Sequence, residues 1–455
     1  MTVYSNVLDM IGNTPLIELT HLDTGPCRLF LKLEYMNPGG SVKDRIGVSM
    51  IEEAERRGDL KPGDTIIEGT AGNTGMGLAL VAAQKGYRLK LFIPDKMSQE
   101  KIFTLRAMGA EVVLTRSDVG KGHPEYYQDL AARVAKETGA YFINQFANPD
   151  NVKAHEEHTG PEIWEQMEHD VDAVVVGVGS SGTITGIGKY MQRVAPKTEM
   201  VLADPEGSVL HDYIKTGELG EKGTWLVEGI GEDFIPSICD ISLAKRAYSI
   251  PDKESFETAR LVLREEGLLL GSSSGTLIAA ALRYCREQTE PKRVVTLGAD
   301  TGNKYLSKMY NDFWMLEHGF LKREPRGDLS DIIGRPHAER ASVYVGPDDT
   351  LLTAHNRLRN NGFSQLPVID DGNFIGAVTE TDILIRVADE PEAFHAAVRT
   401  AMNPGFPRLG VNTPISALLS LLETESAVAV VDEQEAFIGL ITRTDALNFL
   451  RKQIQ

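Results

Sequence analysis

The chain has few cysteines, no excess of positive charge and no long apolar run. Its cysteines, Cys27, Cys239 and Cys285, are odd in number and far apart, and no Cys-x-x-Cys pair is present. This pattern argues against a disulfide framework and against a thiolate zinc site. The formal charge of −18 argues against a broad phosphate-binding face, so nucleic acid is not an expected partner.

The sequence also lacks the features of a membrane protein. No apolar run approaches the length of a bilayer-spanning helix, and residues 1–6 contain no basic region followed by an apolar core. We therefore expect a cytoplasmic protein with no membrane partner.

Its 455 residues exceed what one ordinary core accommodates, so we expect at least two domains.

Short β-rich runs alternate with helix-length segments between about residue 64 and residue 299. These runs are residues 65–67, 90–93, 111–114, 172–176, 200–203 and 293–297. Continuous apolar strands of this kind predict an α/β fold, in which helices cover both faces of a parallel sheet. Such sheets bind ligands beyond the carboxyl ends of their strands, so the loops there are expected to carry the chemistry.

The segment Asn-Pro-Gly-Gly-Ser-Val-Lys-Asp-Arg at residues 37–45 carries a candidate nucleophile. Pro38 and the glycines allow a tight turn, Ser41 is predicted as a helix N-cap, and Asp44 completes a variant of the capping box. Lys43 then lies in the first turn of a helix, where the unpaired N–H groups lower the pKa of an amine. From this segment alone, a solvated lysine is the alternative.

Loops rich in glycine and hydroxyl side chains occupy residues 69–77, 177–183 and 271–276. Their N–H groups and hydroxyls predict anion binding at helix N-termini, a carboxylate at the first loop and a phosphate monoester at the second. A helix cap in a tight connection explains any one of them alone. Three such loops in one sheet favour a shared ligand site.

Together these segments resemble the fold-type II pyridoxal-phosphate (PLP) β-family, which includes O-acetylserine sulfhydrylase and cystathionine β-synthase. The resemblance runs from Ile-Gly-Asn-Thr-Pro-Leu at residues 11–16, through residues 37–45 and Gly-Pro-Glu-Ile-Trp at residues 160–164, and covers about the first 315 residues. It implies that Lys43 carries PLP as a Schiff base, that Asn73 bonds the ring hydroxyl and that Ser273 faces the pyridine nitrogen.

The resemblance also implies anion-binding residues. It assigns the cofactor phosphate to Gly179, Ser180, Ser181, Gly182 and Thr183. It assigns the substrate carboxylate to Thr70, Ala71, Gly72, Thr74 and Gln145. Ala71 departs from the family pattern because many members have serine there, so a hydroxyl near the substrate is missing.

The chemistry of these residues agrees with β-replacement. A neutral Ser273 at the pyridine nitrogen stabilises a carbanion only moderately, which favours β-elimination and then attack by a thiol. Lys43 is expected to take the α-proton of the substrate and to help its β-substituent leave.

The second substrate is predicted from Trp-Leu-Val-Glu-Gly-Ile-Gly-Glu-Asp-Phe at residues 225–234. The synthases of the family carry glutamate where the sulfhydrylases generally carry glutamine, so Glu228 is expected to hold the ammonium group of homocysteine. Gly231 belongs to the same motif, and Glu232 either supplements Glu228 or is a solvated loop residue.

We expect condensation of L-serine and L-homocysteine to L-cystathionine and water. The alternatives are a cysteine synthase with the same PLP chemistry and a catalytically idle nucleotide-binding scaffold.

No metal and no haem are expected. The run His155-Glu-Glu-His158 is not a His-Glu-x-x-His motif, and its neighbours continue the family pattern. The haem-binding forms of the family carry a long N-terminal extension, whereas here the Ile-Gly-Asn-Thr-Pro motif begins at residue 11.

The last part of the chain repeats itself once. Phe374, Gly376, Thr379 and Asp382 recur 63 residues later as Phe437, Gly439, Thr442 and Asp445. This pair resembles the tandem CBS or Bateman module, an α+β regulatory unit in which Thr379, Asp382, Thr442 and Asp445 would meet the phosphate and ribose of an adenosyl ligand. A helix cap is the structural alternative.

The predicted domains are a catalytic domain at residues 1–320 with a smaller lobe at about 45–150, a linker at 321–335 and repeats at 336–392 and 393–455.

From Asp328 onward there are 18 acidic and 10 basic residues, which favours a cationic adenosyl ligand such as S-adenosylmethionine over AMP or ATP. The resemblance to the family implies a homodimer, and it does not predict whether dimers assemble further.

Overall fold

The computed structural model describes residues 3–70 and 72–452. It divides into unit 1, Met1–Asn311, and unit 2, Asp312–Gln455. Within these described ranges, no helix combines the length and the apolar character needed to cross a membrane.

Unit 1 is an alternation of strands and helices. The strands are β1 (Leu16–Glu18), β2 (Arg28–Lys32), β3 (Thr65–Gly69), β4 (Arg88–Pro94), β5 (Glu111–Thr115), β6 (Tyr141–Phe142), β7 (Ala173–Gly177), β8 (Glu199–Pro205), β9 (Ala244–Ile250) and β10 (Arg293–Leu297). The helices are α1 (Lys43–Arg57), α2 (Asn73–Lys85), α3 (Gln99–Ala107), α4 (Tyr127–Thr138), α5 (Pro149–Ala154), α6 (Gly160–Gln166), α7 (Gly182–Val194), α8 (Leu210–Thr216), α9 (Asp252–Glu266) and α10 (Ser272–Arg286).

The strands form a larger and a smaller sheet. The larger sheet has the order β1-β2-β10-β7-β8-β9 and the smaller sheet the order β5-β4-β3-β6. All neighbours pair in parallel except β1 and β2. The predicted α/β fold with parallel strands is therefore confirmed. The smaller sheet falls within the 45–150 range predicted for the smaller lobe, whose boundaries stay a prediction.

Two details of the sequence prediction are wrong. The glycine-rich loops do not follow strands of one sheet, because β3 belongs to the smaller sheet and β7 to the larger sheet. The loop at residues 271–276 does not follow a strand of either sheet, since Leu270 forms only an isolated bridge with Thr301 and α10 begins at Ser272. Apolar periodicity identifies strands, but the sheet in which each strand pairs depends on contacts distant in the chain.

Lys43 lies in the first turn of α1, as predicted, but the helix begins at Lys43 itself and its start is built differently. Val42 is the N-cap residue and makes no side-chain cap bond. The Ser41 Oγ accepts a hydrogen bond from the Lys43 N–H at 3.2 Å, whereas the Asp44 carboxylate accepts from the Gly39 N–H at 2.5 Å. The predicted capping box is therefore replaced by a bond that closes the preceding turn.

The backbones of helices α1 and α2 are in direct contact at Gly47 and Gly77. A Cβ at Gly47 would lie 2.7 Å from the Gly77 carbonyl carbon, and a Cβ at Gly77 would lie 2.6 Å from the Lys43 carbonyl oxygen. Any side chain at either position would push the helices apart. This contact holds the first turn of α1 beside the first turn of α2.

A buried ion-pair network joins the segments that carry the family resemblance. The Arg45 guanidinium bonds Glu34 and Glu162, each at 2.7 Å, and Lys32 lies 2.8 Å from Glu162. The pKa of Glu162 is lowered to about 2: burial alone would raise it, but the bonds from Arg45 and Lys32 outweigh that effect. The first turn of α1, which contains Lys43 and Arg45, is thereby tied to β2 and α6.

Unit 2 contains the repeated segments. Its elements are α11 (Asp312–Glu317), α12 (Leu351–Asn361), β11 (Gln365–Asp370), β12 (Asn373–Thr379), α13 (Glu380–Asp389), β13 (Arg408–Gly410), α14 (Ile415–Thr424), β14 (Ala427–Val431), β15 (Phe437–Thr442) and α15 (Arg443–Lys452). The equivalent residues Phe374 and Phe437 stack, with ring centroids 5.8 Å apart. The segment predicted as a linker contributes Leu329, Ile332 and Ile333 to a core with α14 and β14.

The glycine contact between α1 and α2 generates a prediction. Gly77→Ala should lower the free energy of unfolding by about 1–3 kcal/mol, because the added methyl group meets backbone that cannot move away. Gly120→Ala is the matched control, since its Cβ would meet nothing within 4 Å. Urea unfolding measures the change. Equal stability of the Gly77→Ala variant and the wild type would contradict the contact.

Candidate functional site

A cavity of about 550 Å³ opens at the carboxyl ends of β3, β4 and β7. Its lining includes the following residues that the sequence singled out: Lys43, Thr70, Gly72, Asn73, Thr74, Gln145, Gly179, Ser180, Ser181, Thr183, Glu228, Gly231, Glu232 and Ser273. Gly182 lies behind the lining, and Ala71 falls outside the described residues. One cavity thus collects residues from loops of both sheets.

The Lys43 amine lies in this cavity at the start of α1. Burial lowers the pKa of Lys43 to about 8, while the Asp300 and Glu232 carboxylates oppose this shift. The sequence predicted the direction but attributed it to the helix N-terminus, whereas the largest cause is loss of water. A larger share of this amine is neutral near pH 7 than of an exposed lysine amine.

The loop between β3 and α2 forms one wall. The Thr70 Oγ1 accepts a hydrogen bond from the Gly72 N–H at 3.1 Å, and the Thr74 hydroxyl donates to Gln145 Oε1 at 2.7 Å. Gly72 has a φ of +124°, which favours glycine. These bonds hold hydroxyl and amide groups in the position of a carboxylate site at the N-terminus of α2.

The loop between β7 and α7 forms the opposite wall. Ser181 has a φ of +74°, and its Oγ is buried without a hydrogen-bond partner among the described residues. A Cβ at Gly179 would lie 2.6 Å from the Gly229 carbonyl oxygen, and one at Gly182 would overlap Asn151 Oδ1. The backbone is therefore shaped as a close-fitting cradle at a helix N-terminus, with a free hydroxyl.

The run at residues 155–158 lies below this cradle. His155 is buried within a π-helix, His155–Thr159, and its ring nitrogens lie 2.9 Å from Thr159 Oγ1 and 3.3 Å from Thr183 Oγ1. In the part of the chain that the structure describes, no cluster of three or more histidine, cysteine or acidic side chains could hold a metal ion.

Ser273 differs from its neighbours in the first turn of α10. The Ser272 Oγ accepts from the Glu228 N–H at 3.0 Å, and the Ser274 Oγ accepts from the Ala299 N–H at 2.9 Å. Ser273 instead lines the cavity. The two flanking hydroxyls thus support the local backbone, and Ser273 is the one placed to meet a ligand.

The two acidic residues of the 225–234 motif lie in different surroundings. Glu228 Oε2 is 2.6 Å from the Lys101 ammonium, and Glu228 Oε1 is 2.6 Å from the Lys308 ammonium. Burial alone would raise the pKa of Glu228, but the two lysines hold it below its ordinary value. Both oxygens of Glu228 are therefore already bonded by cations of this chain.

Glu232 faces the cavity with no such partner. Among the described residues, none donates a hydrogen bond to its carboxylate. Burial, followed by the nearby Asp233 carboxylate, raises the pKa of Glu232 well above its ordinary value, and the Lys121 ammonium opposes this. An ammonium group bound in the cavity would favour the ionised form of Glu232 and would find in it an acceptor that is not engaged elsewhere.

The Asn73 amide is held from both sides. Its Nδ2 donates to Asp300 Oδ2 at 2.8 Å, and its Oδ1 accepts from the Lys304 ammonium at 3.0 Å. Lys304 also donates to the carbonyl oxygens of Gly39 and Gly40, at 3.2 Å and 3.3 Å. The amide orientation is thus set by charged neighbours, which leaves one Nδ2 hydrogen for a ligand.

In unit 2, the predicted nucleotide-site residues lie at equivalent strand-to-helix junctions. The Thr379 hydroxyl donates to Asp382 Oδ2 at 2.7 Å, and the Asp382 N–H donates back at 3.1 Å, a complete capping box for α13. Thr442 and Asp445 repeat these bonds at 2.6 Å and 3.3 Å. The structural alternative, a helix cap, is therefore present at both junctions.

Fold and site together define an enzyme class: a buried amine in a crevice with an anion cradle, followed by paired α+β repeats. The family model described as "Pyridoxal-phosphate dependent enzyme" matches residues 7–300, and the model described as "CBS domain" matches residues 330–389 and 398–452. These matches cover both units.

Similar proteins give the same result. The cystathionine beta-synthase of Mus musculus is 40% identical over 396 residues, which cover 84% of this chain and 69% of that protein. That of Saccharomyces cerevisiae is 38% identical over 416 residues, covering 84% and 81%. The solved structure of a hydrogen sulfide-producing enzyme from Fusobacterium nucleatum is 36% identical, covers 67% of this chain and 100% of that chain, and has a TM-score of 0.62. The chain belongs to the pyridoxal-phosphate dependent enzymes and, among them, to the cystathionine beta-synthase family of lyases.

The residues present fit pyridoxal phosphate. Lys43 supplies an amine of lowered pKa, the 179–183 cradle offers N–H groups and the unpartnered Ser181 hydroxyl, and Asn73 has a donor hydrogen left. The amine of Lys43 suits the aldehyde of the cofactor, the 179–183 cradle suits its phosphate, and the Asn73 amide suits its ring hydroxyl.

Sequence reasoning missed Lys101, Asp300, Lys304 and Lys308. They carry no motif that points to a ligand, and their partners are as far as 231 residues away in the chain. The burial of these side chains would have pointed to them, but burial is visible only in the folded structure. Cationic side chains this strongly buried are uncommon unless they are paired.

The lowered pKa of Lys43 generates a prediction for the cofactor-free protein. Its rate of PLP capture should rise about tenfold per pH unit below the pKa and level off above about 8, because the neutral amine is the reactive form. Stopped-flow absorbance measures this rate. Lys43→Ala should show no capture step, and a wild-type midpoint near 10.5 would contradict the burial of the amine.

Proposed function

We propose that the chain catalyses β-replacement, condensing L-serine and L-homocysteine to L-cystathionine and water. The observation that carries the proposal is the convergence on one cavity of the Lys43 amine, the 179–183 cradle and the unpartnered carboxylate of Glu232. The similar proteins named cystathionine beta-synthase support it.

The chain's own residues supply binding and proton transfer. Thr70, Gly72, Thr74 and Gln145 would hold the α-carboxylate of serine, with Ala71 as part of the same loop. The residues at 179–183 would hold the cofactor phosphate, Asn73 the ring hydroxyl, and Ser273 the pyridine nitrogen. When bound, pyridoxal phosphate withdraws the charge that develops at the α-carbon of the substrate.

Lys43 is placed to act as the base and then as the acid. Its Nζ would remove the proton from the α-carbon of serine and donate a proton to the β-hydroxyl as water leaves. The lowered pKa of Lys43 suits both steps, because neither the neutral nor the protonated amine is strongly favoured near pH 8. The Ser273 hydroxyl cannot transfer a full proton to the ring nitrogen, which favours elimination over a long-lived carbanion.

Glu232 is our candidate for the ammonium group of homocysteine, with Gly231 beside it. Glu228 was predicted for this role, but both of its oxygens are bonded by lysines. A cysteine synthase that uses sulfide has no ammonium group to bind, so a free buried carboxylate at this wall favours the larger thiol substrate. An idle scaffold would not need a lysine of lowered pKa in the cavity.

The test is an assay of purified holoenzyme with two substrate pairs. We expect faster turnover with L-serine and L-homocysteine than with O-acetylserine and sulfide. A strong preference for the second pair would establish the cysteine synthase alternative. A Lys43→Ala variant that keeps its yellow colour through dialysis and is bleached by borohydride would remove the assigned chemistry, because the cofactor would then be attached to another amine.

Glu232→Gln tests the ammonium contact within this assay. The KM for homocysteine should rise about tenfold, since a charge-assisted hydrogen bond becomes a neutral one. The KM for serine should change less, because Glu232 affects serine only through its charge effect on Lys43. The exposed Glu221→Gln on the same loop is the control, and an unchanged homocysteine KM in Glu232→Gln would reject the contact.

We further propose a cytoplasmic homodimer whose CBS repeats bind an adenosyl ligand at Thr379, Asp382, Thr442 and Asp445, and no haem. The support is the CBS-domain match, the repeated Thr and Asp positions and the acidic composition of the module. S-adenosylmethionine is the favoured ligand because it is cationic.

Calorimetry tests the effector. S-adenosylmethionine should give a binding heat, AMP and ATP weaker ones, and Asp382→Asn or Asp445→Asn should reduce the heat at one of the equivalent sites. Asp371→Asn, in the exposed turn after β11, is the control. No heat with any of the three ligands would remove the proposed regulatory role.

A further inference from the structure

The Lys101 ammonium is at the centre of a buried polar chain. Its side chain is 1% exposed, and it donates to Glu228 Oε2 at 2.6 Å and to the Tyr305 hydroxyl at 3.1 Å. The ammonium also lies 4.6 Å from the centroid of the Tyr305 ring. A cation this deeply buried is stable only with such partners.

The chain continues from Tyr305 to the cofactor contact. The Tyr305 hydroxyl donates to Asp300 Oδ2 at 2.7 Å, and Asn73 Nδ2 donates to the same oxygen at 2.8 Å. Glu228, Lys101, Tyr305, Asp300 and Asn73 are thus linked by unbroken hydrogen bonds. These bonds connect Glu228 to the amide that would bond the cofactor ring.

The stem of Lys101 makes a second connection. A Cβ at Gly72 would lie 2.8 Å from Lys101 Cδ, so the methylene chain of Lys101 lies directly against the 70–74 loop. Lys101 belongs to α3, and Glu228 lies between β8 and β9. The ion pair therefore ties the smaller-sheet side of the cavity to the larger-sheet side, across the loop expected to bind the substrate carboxylate.

We propose that Lys101 and Glu228 are positioning residues for the first substrate. Their buried ion pair fixes the 70–74 loop and, through Tyr305 and Asp300, the Asn73 amide. The proposal rests on the proposed function and revises the role that the sequence gave to Glu228. Glu228 acts on serine through Lys101, whereas Glu232 meets homocysteine directly.

The two roles of Glu228 give opposite kinetic results. As a direct ammonium ligand, Glu228 would affect the KM for homocysteine and leave serine binding unchanged. As a positioning residue, it would affect serine binding and the absorbance of the bound cofactor before any homocysteine is present. It would also be coupled to Lys101, because either substitution breaks the same ion pair.

The experiment is a spectral titration of PLP-loaded protein with L-serine alone. Lys101→Met and Glu228→Gln should each weaken serine binding about tenfold, and the double variant should be no weaker than the worse single variant. Lys101→Arg should recover most of the affinity because it keeps the charge. Lys153→Met is the control, since it removes an ion pair to Glu53 that is partly exposed.

Thermal unfolding establishes that each variant is folded. If Lys101→Met does not fold, Lys308→Met removes the more exposed partner of Glu228, whose side chain is 23% exposed, and a smaller loss of serine affinity is expected. Wild-type serine binding in folded Lys101→Met and Glu228→Gln, or strictly additive losses in the double variant, would overturn the positioning role.

The same titration separates the two proposals. A wild type that gives no spectral response to serine but responds to O-acetylserine contradicts the proposed function, and the positioning role is then tested with O-acetylserine. A wild type that responds to serine, with variants that respond identically, contradicts the positioning role alone.

Discussion

The backbone contact between α1 and α2 is the constraint on which the site depends. Lys43 and Asn73 are the first residues of their helices, and Gly47 and Gly77 lie one helical turn beyond them. Because the helices touch at these glycines without side chains between them, the first turns that carry Lys43 and Asn73 are held side by side.

Buried charges supply the remaining order around the cavity. Arg45 with Glu34 and Glu162 secures the first turn of α1, and Lys101 with Glu228 bridges the walls on either side of the cavity. Buried ion pairs contribute little net stability because desolvation offsets their attraction. Their geometric demands are strict, however, since an uncompensated charge inside the protein is costly. These pairs therefore specify position more than they add stability.

Prediction from sequence succeeded where the signal was local. The apolar runs located β3, β4, β5, β7, β8 and β10 but not β1, β2, β6 and β9. The glycine and hydroxyl pattern located the loops that line the cavity. It failed where partners are distant in the chain. Glu228 looked like a free carboxylate because Lys101 and Lys308 lie far from it in sequence, and the pKa of Lys43 was attributed to the helix start because burial cannot be seen before folding. Asp44 was taken for a cap because its bond to Gly39 depends on the shape of the turn.

The capping boxes of unit 2 have a consequence for sensing. At each junction, a threonine hydroxyl and an aspartate oxygen already satisfy each other and the first turn of a helix. A small molecule that engaged these atoms would exchange existing bonds for new ones instead of filling vacant ones. The net gain in binding free energy is then small, so the occupancy of the site would follow the concentration of the molecule closely.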